Sequence, residues 1–482
     1  MTFQMSDISL ITPEIVLTLT ALLVLLVEAF RPGAGRSDTT WLSIIGVLVA
    51  AAFALGQFGE KKLGFSGMLS IDSYSAFFKL IFCSIGLLCF LISDGFMKSE
   101  EYEHGEFHAL MLMSMTGMML MASSNHLLMM FLGLETMSIA IYALAGYMRT
   151  KEGMESSFKY FLLGGASSAF LLYGIALLYA STGTTQIDLL FNHFAAQGGM
   201  THSPMALAGI ALIAGGFAFK VAAFPFHVWT PDVYQGAPTP VTAFMATGVK
   251  AAAFAAFFRI FLVAFPASVE SWSGALWIIA VLTMTMGNLA ALVQKDIKRM
   301  LAYSSIAHAG YLLVAMVTAT ADAGTGLLFY LFSYAFMNIG AFACVIMLGR
   351  KGDQRTTLDD YAGIGFKKPL LAAALTVFMF SMAGIPPTAG FIGKFLIFKA
   401  AIKQGYIWLA VLGVLNSAAS VYYYLRVLVY MYFKEPGEKA DEPLRAGGLI
   451  ALATTIAVVV ILLLGMVPGA MVELAQAAAS KF

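Results

Sequence analysis

Five ionisable side chains lie where ionisable side chains are costly. Glu135 sits in HLLMMFLGLETMSIAIYALAGY, Lys220 in GGFAFKVAAFPF, Lys250 in VTAFMATGVKAAAF, His308 in LAYSSIAHAGYLL and Lys394 in AGFIGKFLIFKA. Each is embedded in an apolar run, and a charge at the centre of a bilayer costs at least about 2.5–3.5 kcal/mol. Three amines and one carboxyl cannot all be charged and paired in a dry interior. An amine that is desolvated and close to other cations gives up its proton more readily than a solvated one. A row of such amines can therefore hand a proton along. Glu135 is the deep carboxylate, and it is expected to pair with Lys220 and hold that lysine protonated. Opening of the pair would let the proton pass towards Lys250. Imidazole titrates near neutrality, so His308 is expected to relay between Lys250 and Lys394.

Two of these lysines accompany a broken helix. Pro225 follows Lys220, with Pro231, Pro238 and Pro240 close behind, and Pro386–Pro387 precede Lys394 in MAGIPPTAGFIGKF. Proline removes a backbone donor and frees upstream carbonyls. At membrane depth freed backbone survives only against protein or in a hydrated cavity. A plainer role for such a lysine is to cap the freed carbonyls or to pin two helices together. The recurrence of lysine beside a break favours an ion site near mid-membrane.

The elements that must hold these groups are helices in a bilayer. The 482-residue chain is 60% hydrophobic and only 11% charged, against about 25% charged in soluble domains. Its apolar runs are continuous over about 20 residues, which reads as an all-α polytopic membrane protein rather than a barrel. About fourteen spans are expected, among them 126–147, 204–226, 240–265, 300–318 and 370–398. Loops after odd-numbered spans hold about 17 Lys and Arg, the others about 5, which places the odd loops in the cytoplasm and both termini outside. The 182–203 segment is then the longest external loop. The two breaks lie five spans apart, which suggests inverted five-helix repeats, each with a broken helix. The expected organisation is a three-helix segment at 1–106, a first repeat at 107–270 (spans 4–8), an inverted second repeat at 271–433 (spans 9–13) and a C-terminal span in 434–482.

Other residues read more simply. Lys79, Arg259 and Arg426 lie towards span ends, where snorkelling is expected. His126 is expected at an interface, His227 in the hydrogen bonding of the break, and His104, His193 and His202 in loops. Asp232 is expected to anchor 227–240 on the cytoplasmic side. Tyr422, Tyr423 and Tyr424 read as packing, with one hydroxyl able to line a water path. Cys83, Cys89 and Cys344 lie in apolar runs without metal or cluster spacing. There is no GxxxxGK[ST], so ATP is not expected to power the chain. Residues 1–12 lack the features of a cleaved leader.

The stretch FKVAAFPFHVWTPDVYQGAPTPVTAFMATGVKAAAF resembles the antiporter-like, Mrp-related membrane subunits of respiratory complex I, the NADH:quinone oxidoreductase. TPDVYQGAPTP narrows the resemblance to the subunit N branch, since the sister branches L and M usually read LPDAH there. LAYSSIAHAGYLL and MAGIPPTAGFIGKF are also similar to that branch, and the resemblance spans essentially the whole chain. It implies a proton-translocating membrane-arm subunit with no redox centre and no metal of its own. The functional glutamate of the family falls on Glu135. Its pivotal, connecting and terminal-channel lysines fall on Lys220, Lys250 and Lys394, and its connecting histidine on His308. The implied partners are subunits M and K and the lateral helix of L, with NADH, FMN, iron–sulfur clusters and quinone held by other subunits. The implied location is a bacterial inner membrane.

Two other classes use the same residues. A stand-alone or Mrp-type cation/proton antiporter would work without redox subunits. A structural spacer would use its buried charges only to hold the assembly together, and would keep turnover in Lys220→Arg.

Overall fold

The computed structural model describes residues 5–31, 37–102, 104–196, 203–352, 356–445 and 447–480. Helices α1 (Thr12–Phe30), α2 (Asp38–Gly56), α3 (Ser73–Glu100), α4 (Gly105–Ser123), α5 (Leu127–Ala145) and α6 (Lys151–Thr182) precede a short α7 (Ile187–Ala196). The interrupted pair α8 (Pro204–Lys220) and α9 (Thr230–Gly236) follows, then α10 (Thr239–Ala264), α11 (Val269–Leu292), α12 (Ile297–Thr318) and α13 (Ala321–Leu348). A second interrupted pair, α14 (Pro369–Ala383) and α15 (Ala389–Lys403), leads to α16 (Ile407–Phe433), α17 (Gly448–Met466) and α18 (Gly469–Ala479). A small hairpin pairs Lys62–Gly64 with Leu69–Ile71.

Eleven helices among the described residues are long and apolar enough to cross a membrane. Each of the fourteen or so expected runs carries a helix, and the three that fall short do so for physical reasons. The seventh and twelfth are split by their prolines into shorter pieces. Helix α4 has the length, but Glu106, His108 and its Ser, Thr and Gly residues dilute its hydropathy. The external loop expected at 182–203 contains α7, an amphipathic helix of 10 residues that periodicity alone would have flagged; His202 lies outside the described residues.

In lipid, hydropathy does not separate core from surface, because both are apolar. Burial separates them. The most apolar 18-residue windows of α10 and α12 are 94% buried, whereas that of α17 is 28% buried. Helices α10, α12, α13 and α3 form the centre, and α1, α6, α16 and α17 present Leu, Phe and Val outward. Close helix contacts use missing side chains. A Cβ on Gly117 of α4 would lie 2.6 Å from the Gly133 carbonyl of α5, and one on Gly133 would lie 2.9 Å from the Gly117 carbonyl.

The snorkelling expected of Lys79 and Arg259 does not occur. Both are buried. Lys79 pairs with Glu14 at 2.8 Å and donates to Gln57 Oε1 at 2.9 Å. Arg259 makes a two-pronged pair with Asp72, both bonds 2.9 Å, beneath the Tyr74 ring. Asp72 also caps α3 by accepting from the Ser75 N–H at 2.8 Å, so one carboxylate both starts a helix and receives the far end of α10. The carboxylate partners lie far away in sequence, which is why a window of residues around each cation did not show them. Arg426 of α16 reaches the end of a neighbouring helix, donating to the Leu292 carbonyl that closes α11 and to the Gln294 carbonyl just beyond it.

Candidate functional site

Helix α8 ends at Lys220 in a closed turn. Ala222 takes φ 61°, its N–H donates to the Phe219 carbonyl (3.0 Å), and the Ala223 N–H reaches back to Ala218 (2.8 Å). This pattern satisfies the last carbonyls of a helix. The Trp229 indole adds a donor to the Phe219 carbonyl at 3.2 Å, and the Phe224 N–H donates to Thr283 Oγ1 of α11 at 2.9 Å. The Phe217, Ala218 and Phe219 carbonyls at the break thus have donors other than the Lys220 ammonium. That ammonium crosses to α5, donating to Ser138 Oγ at 2.8 Å and Tyr142 OH at 3.3 Å. The Tyr142 and Tyr160 rings both lie 5.4 Å from it.

The expected Glu135–Lys220 ion pair is absent among the described residues. Glu135, Ser138 and Tyr142 stand at i, i+3 and i+7, on one face of α5. Lys220 meets that face one turn beyond the carboxylate, near enough to feel its charge but not to touch it. Glu135 is half-buried, and its Oε1 is buried without a hydrogen-bond partner.

Lys250 follows a π-helical turn at Met245–Val249, one of two in α10. Such turns reorient one side chain within an otherwise regular helix. Its ammonium reaches α12, donating to the Ser305 carbonyl at 2.6 Å and to Ser305 Oγ. His308 lies one turn further along α12. Its Nδ1 is 2.5 Å from Tyr330 OH of α13 and its Nε2 is 2.9 Å from Tyr424 OH of α16. Tyr424 OH in turn lies 2.5 Å from Ser304 Oγ. Two hydrogen-bonded sets thus lie side by side on α12, one holding Lys250 of α10 on Ser305 and one joining Ser304 and His308 to Tyr330 of α13 and Tyr424 of α16, and the charges of Lys250 and Lys394 both act on His308.

The second break differs from the first. Pro386 and Pro387 occupy the positions whose N–H groups would have bonded to the Met382 and Ala383 carbonyls four residues earlier. The Lys394 ammonium supplies both missing donors, at 2.8 Å to Met382 and 3.1 Å to Ala383, and donates to Ser417 Oγ at 2.9 Å. It also lies 4.7 Å from the Tyr311 ring centre. Tyr311 OH accepts from Asn288 (3.2 Å), whose Oδ1 accepts from Tyr423 OH (2.9 Å). A cavity of about 490 Å³ between α15 and α16 opens beside Lys394, with mostly apolar walls.

Lys220, Lys250, His308 and Lys394 are all buried and face polar partners, but they do not form one unbroken hydrogen-bonded wire. Among the described residues no hydrogen bond links the Lys220 group to Lys250, and the Tyr311 ring, not a hydrogen bond, separates Lys394 from the Asn288 group. Sequence reasoning missed Ser138, Tyr142, Ser305, Tyr330 and Asn288, because hydroxyls and amides in apolar helices carry no signature of their own. The i+3 and i+7 spacing from Glu135 could have found the first two. His108 was missed as well: it is buried in α4, with Nε2 3.2 Å from Thr40 Oγ1, in a group that contains Asp94 and Lys98. Of the three tyrosines at 422–424, two bond into the site and Tyr422 faces outward.

Asp232 anchors its segment as expected. Partial burial works against its charge, but hydrogen bonds from Lys159 and Arg299 outweigh that and hold its carboxyl below the ordinary carboxylate range.

The sequence profile described as "NADH:quinone oxidoreductase/Mrp antiporter, TM" matches residues 124–420, which include all five candidate residues. A protein of Trichlorobacter lovleyi named NADH-quinone oxidoreductase subunit N is 52% identical, over 99% of this chain and 98% of its own length. The chain belongs to the NADH-quinone oxidoreductase subunit N family. A chain in the structure of respiratory complex I from Thermus thermophilus with bound aureothin is 37% identical and superposes with a TM-score of 0.83, over 96% of this chain and 100% of that one. A chain of the Mrp complex from Dietzia superposes with a TM-score of 0.88 at 22% identity, over 99% of this chain and 98% of that one. That second likeness shows a shared fold alone. For a member of the subunit N family, the docking of the Lys220 ammonium on Ser138 and Tyr142 instead of on Glu135, and the hydroxyl bridges between helices, are the features that the fold adds to the motifs.

Proposed function

We propose that the chain is a proton-translocating membrane-arm subunit of NADH:quinone oxidoreductase, in which redox chemistry elsewhere drives proton transfer through Glu135, Lys220, Lys250, His308 and Lys394. The observation that carries this reading is the burial of three lysines and a histidine against neutral acceptors. A buried ammonium held by hydroxyls and carbonyls, with no carboxylate in contact, keeps a proton that a modest change of field can dislodge. Glu135 supplies such a field one turn from Lys220. Ser138 and Tyr142 hold the Lys220 proton at α5, Ser305 holds that of Lys250 at α12, and His308 offers two ring nitrogens between Lys250 and Lys394. Tyr330, Tyr424 and Asn288 keep those groups oriented.

The repeats at 107–270 and 271–433, each with its break at Pro225 or at Pro386–Pro387, would place the two proton sites on opposite sides of the centre. The same reading puts the chain in a bacterial inner membrane with both termini outside, beside subunits M and K and under the lateral helix of L. NADH, FMN, iron–sulfur clusters and quinone would sit in partner subunits.

The test is Lys220→Ala in membranes where assembly of the complex is verified. NADH:quinone turnover and proton uptake should fall together. Parental rates in both would refute the proton role. An Mrp-type antiporter would instead exchange Na⁺ for protons in vesicles lacking every redox subunit.

A further inference from the structure

One short helix spans the gap between the Lys220 and Lys250 groups. At its start, Trp229 donates to the last turn of α8 and stacks on Tyr160 at 4.5 Å, the ring that also faces the Lys220 ammonium. At its end, the Tyr234 ring lies 6.0 Å from the Lys250 ammonium. Between them Asp232 is gripped from two helices. Lys159 Nζ of α6 is 3.0 Å from one oxygen, and Arg299 Nη1 of α12 is 2.9 Å from the other. Arg299 also donates to Gln235 Oε1 at 2.9 Å, and Ser156 donates to the Asp232 carbonyl at 3.2 Å. There is no slack on the α6 side: a Cβ on Gly236 would lie 2.6 Å from the Glu152 carbonyl.

Exposed ion pairs add little to stability, so stability is a poor account of this arrangement. Its geometry is informative instead. Each oxygen takes one cation, the cations come from different helices, and α12 is the helix that carries Ser305 and His308. We propose that Asp232 is a positioning residue that holds α9 as a strut between the two lysine sites, with Lys159 and Arg299 as its anchors. The inference rests on the reading that those lysines carry protons. Freed from either anchor, α9 can shift Trp229 against Tyr160 and Tyr234 against Lys250, and transfer between the two sites slows.

The experiment uses the assembled complex in membrane vesicles and compares Asp232→Asn, Asp232→Glu, Arg299→Gln, Lys159→Gln and the Asp232→Asn/Arg299→Gln double variant, with Lys220→Ala as reference. Assembled complex, turnover per complex and protons taken up per NADH are measured. Asp232→Asn should lower turnover about tenfold, short of the ~10²-fold cost of ångström-scale misplacement at a reacting centre. Asp232→Glu should rescue most of it. The double variant should fall well short of the combined effect of its parents, because both single variants remove the shared Asp232–Arg299 contact. Should Asp232→Asn fail to assemble, Lys159→Gln, which keeps the Arg299 anchor, should still slow turnover. Parental rates per assembled complex in Asp232→Asn, or in Lys159→Gln in its place, would overturn the strut, even if less complex accumulates. If Lys220→Ala also matches the parent, the proton reading itself fails.

Discussion

The two broken helices predict unequal stability costs for loss of their lysines. Consider Lys220→Met and Lys394→Met, each replacing an ammonium by an apolar chain of similar length. Both remove a buried amine, so the desolvation gain is common to the two and cancels in their difference. What remains is the set of partners left behind. Lys394 stands in for the absent N–H groups of Pro386 and Pro387. The Ala383 carbonyl keeps the Ser417 hydroxyl at 3.3 Å, but the Met382 carbonyl loses its donor in a buried position. An orphaned buried acceptor costs about 1–3 kcal/mol. Lys220 leaves no orphan of that kind, because the end of α8 is closed by its own backbone and by Trp229, and Ser138 still donates to the Leu134 carbonyl at 2.6 Å. Lys394→Met should therefore be less stable than Lys220→Met by about 1–3 kcal/mol. The assay is the temperature or denaturant midpoint of the detergent-solubilised complex, followed by retention of the intact assembly rather than by activity. Equal midpoints, or a lower one for Lys220→Met, would refute the assignment of Lys394 as the cap of α14.

Three further outcomes follow from described contacts. Gly117→Ala places a Cβ 2.5 Å from the Met137 N–H, so α4 and α5 must separate; overpacking of this kind costs about 1–3 kcal/mol, and the amount of assembled complex should fall. Arg259→Met leaves Asp72 buried without its cation and should cost about 3–5 kcal/mol. Adding Asp72→Ser, which keeps a capping oxygen for α3, should recover part of that in the same midpoint measurement. The Asp232 clamp has a defined pH window. Its carboxyl is held below the usual range in the folded protein, so the stabilisation is present above the unfolded value near 3.9 and is lost as pH falls through the lower folded value. Carbonyl-region infrared difference spectra of the parent against Asp232→Asn should show this protonation only below pH ~4.

The titratable residues were legible because charge in an apolar run is conspicuous, and the breaks because proline removes a donor. Their connections were not. Lys220 was expected on Glu135 since the sequence held no other deep anion, yet a serine and a tyrosine on the same face of α5 take the ammonium. Nothing in a helix of Leu, Met and Ser marks one hydroxyl as an acceptor until the opposing helix is placed. The same limit explains Lys79 and Arg259, whose carboxylates lie 65 and 187 residues away. The π-helical turns ahead of Lys250 and after Arg259 were also invisible, because the residues that form them, MATGV and IFLVA, are of types common throughout the other apolar spans. The difference between the two lysines could have been read from spacing alone: Pro386 and Pro387 follow Met382 and Ala383 by four, and Lys394 is the nearest cation downstream.

The cysteines, which play no part in the site, give the protein a practical property. Cys83, Cys89 and Cys344 are all buried, at 2%, 0% and 0% exposure, and no other cysteine exists in the chain. Alkylation needs an accessible thiolate, so water-soluble maleimides should leave the folded parent unlabelled. A single cysteine introduced at any outward position is then the sole reactive thiol without prior removal of the native three. Accessibility from either face of sealed vesicles can be mapped in the natural sequence background, including the side on which each loop lies.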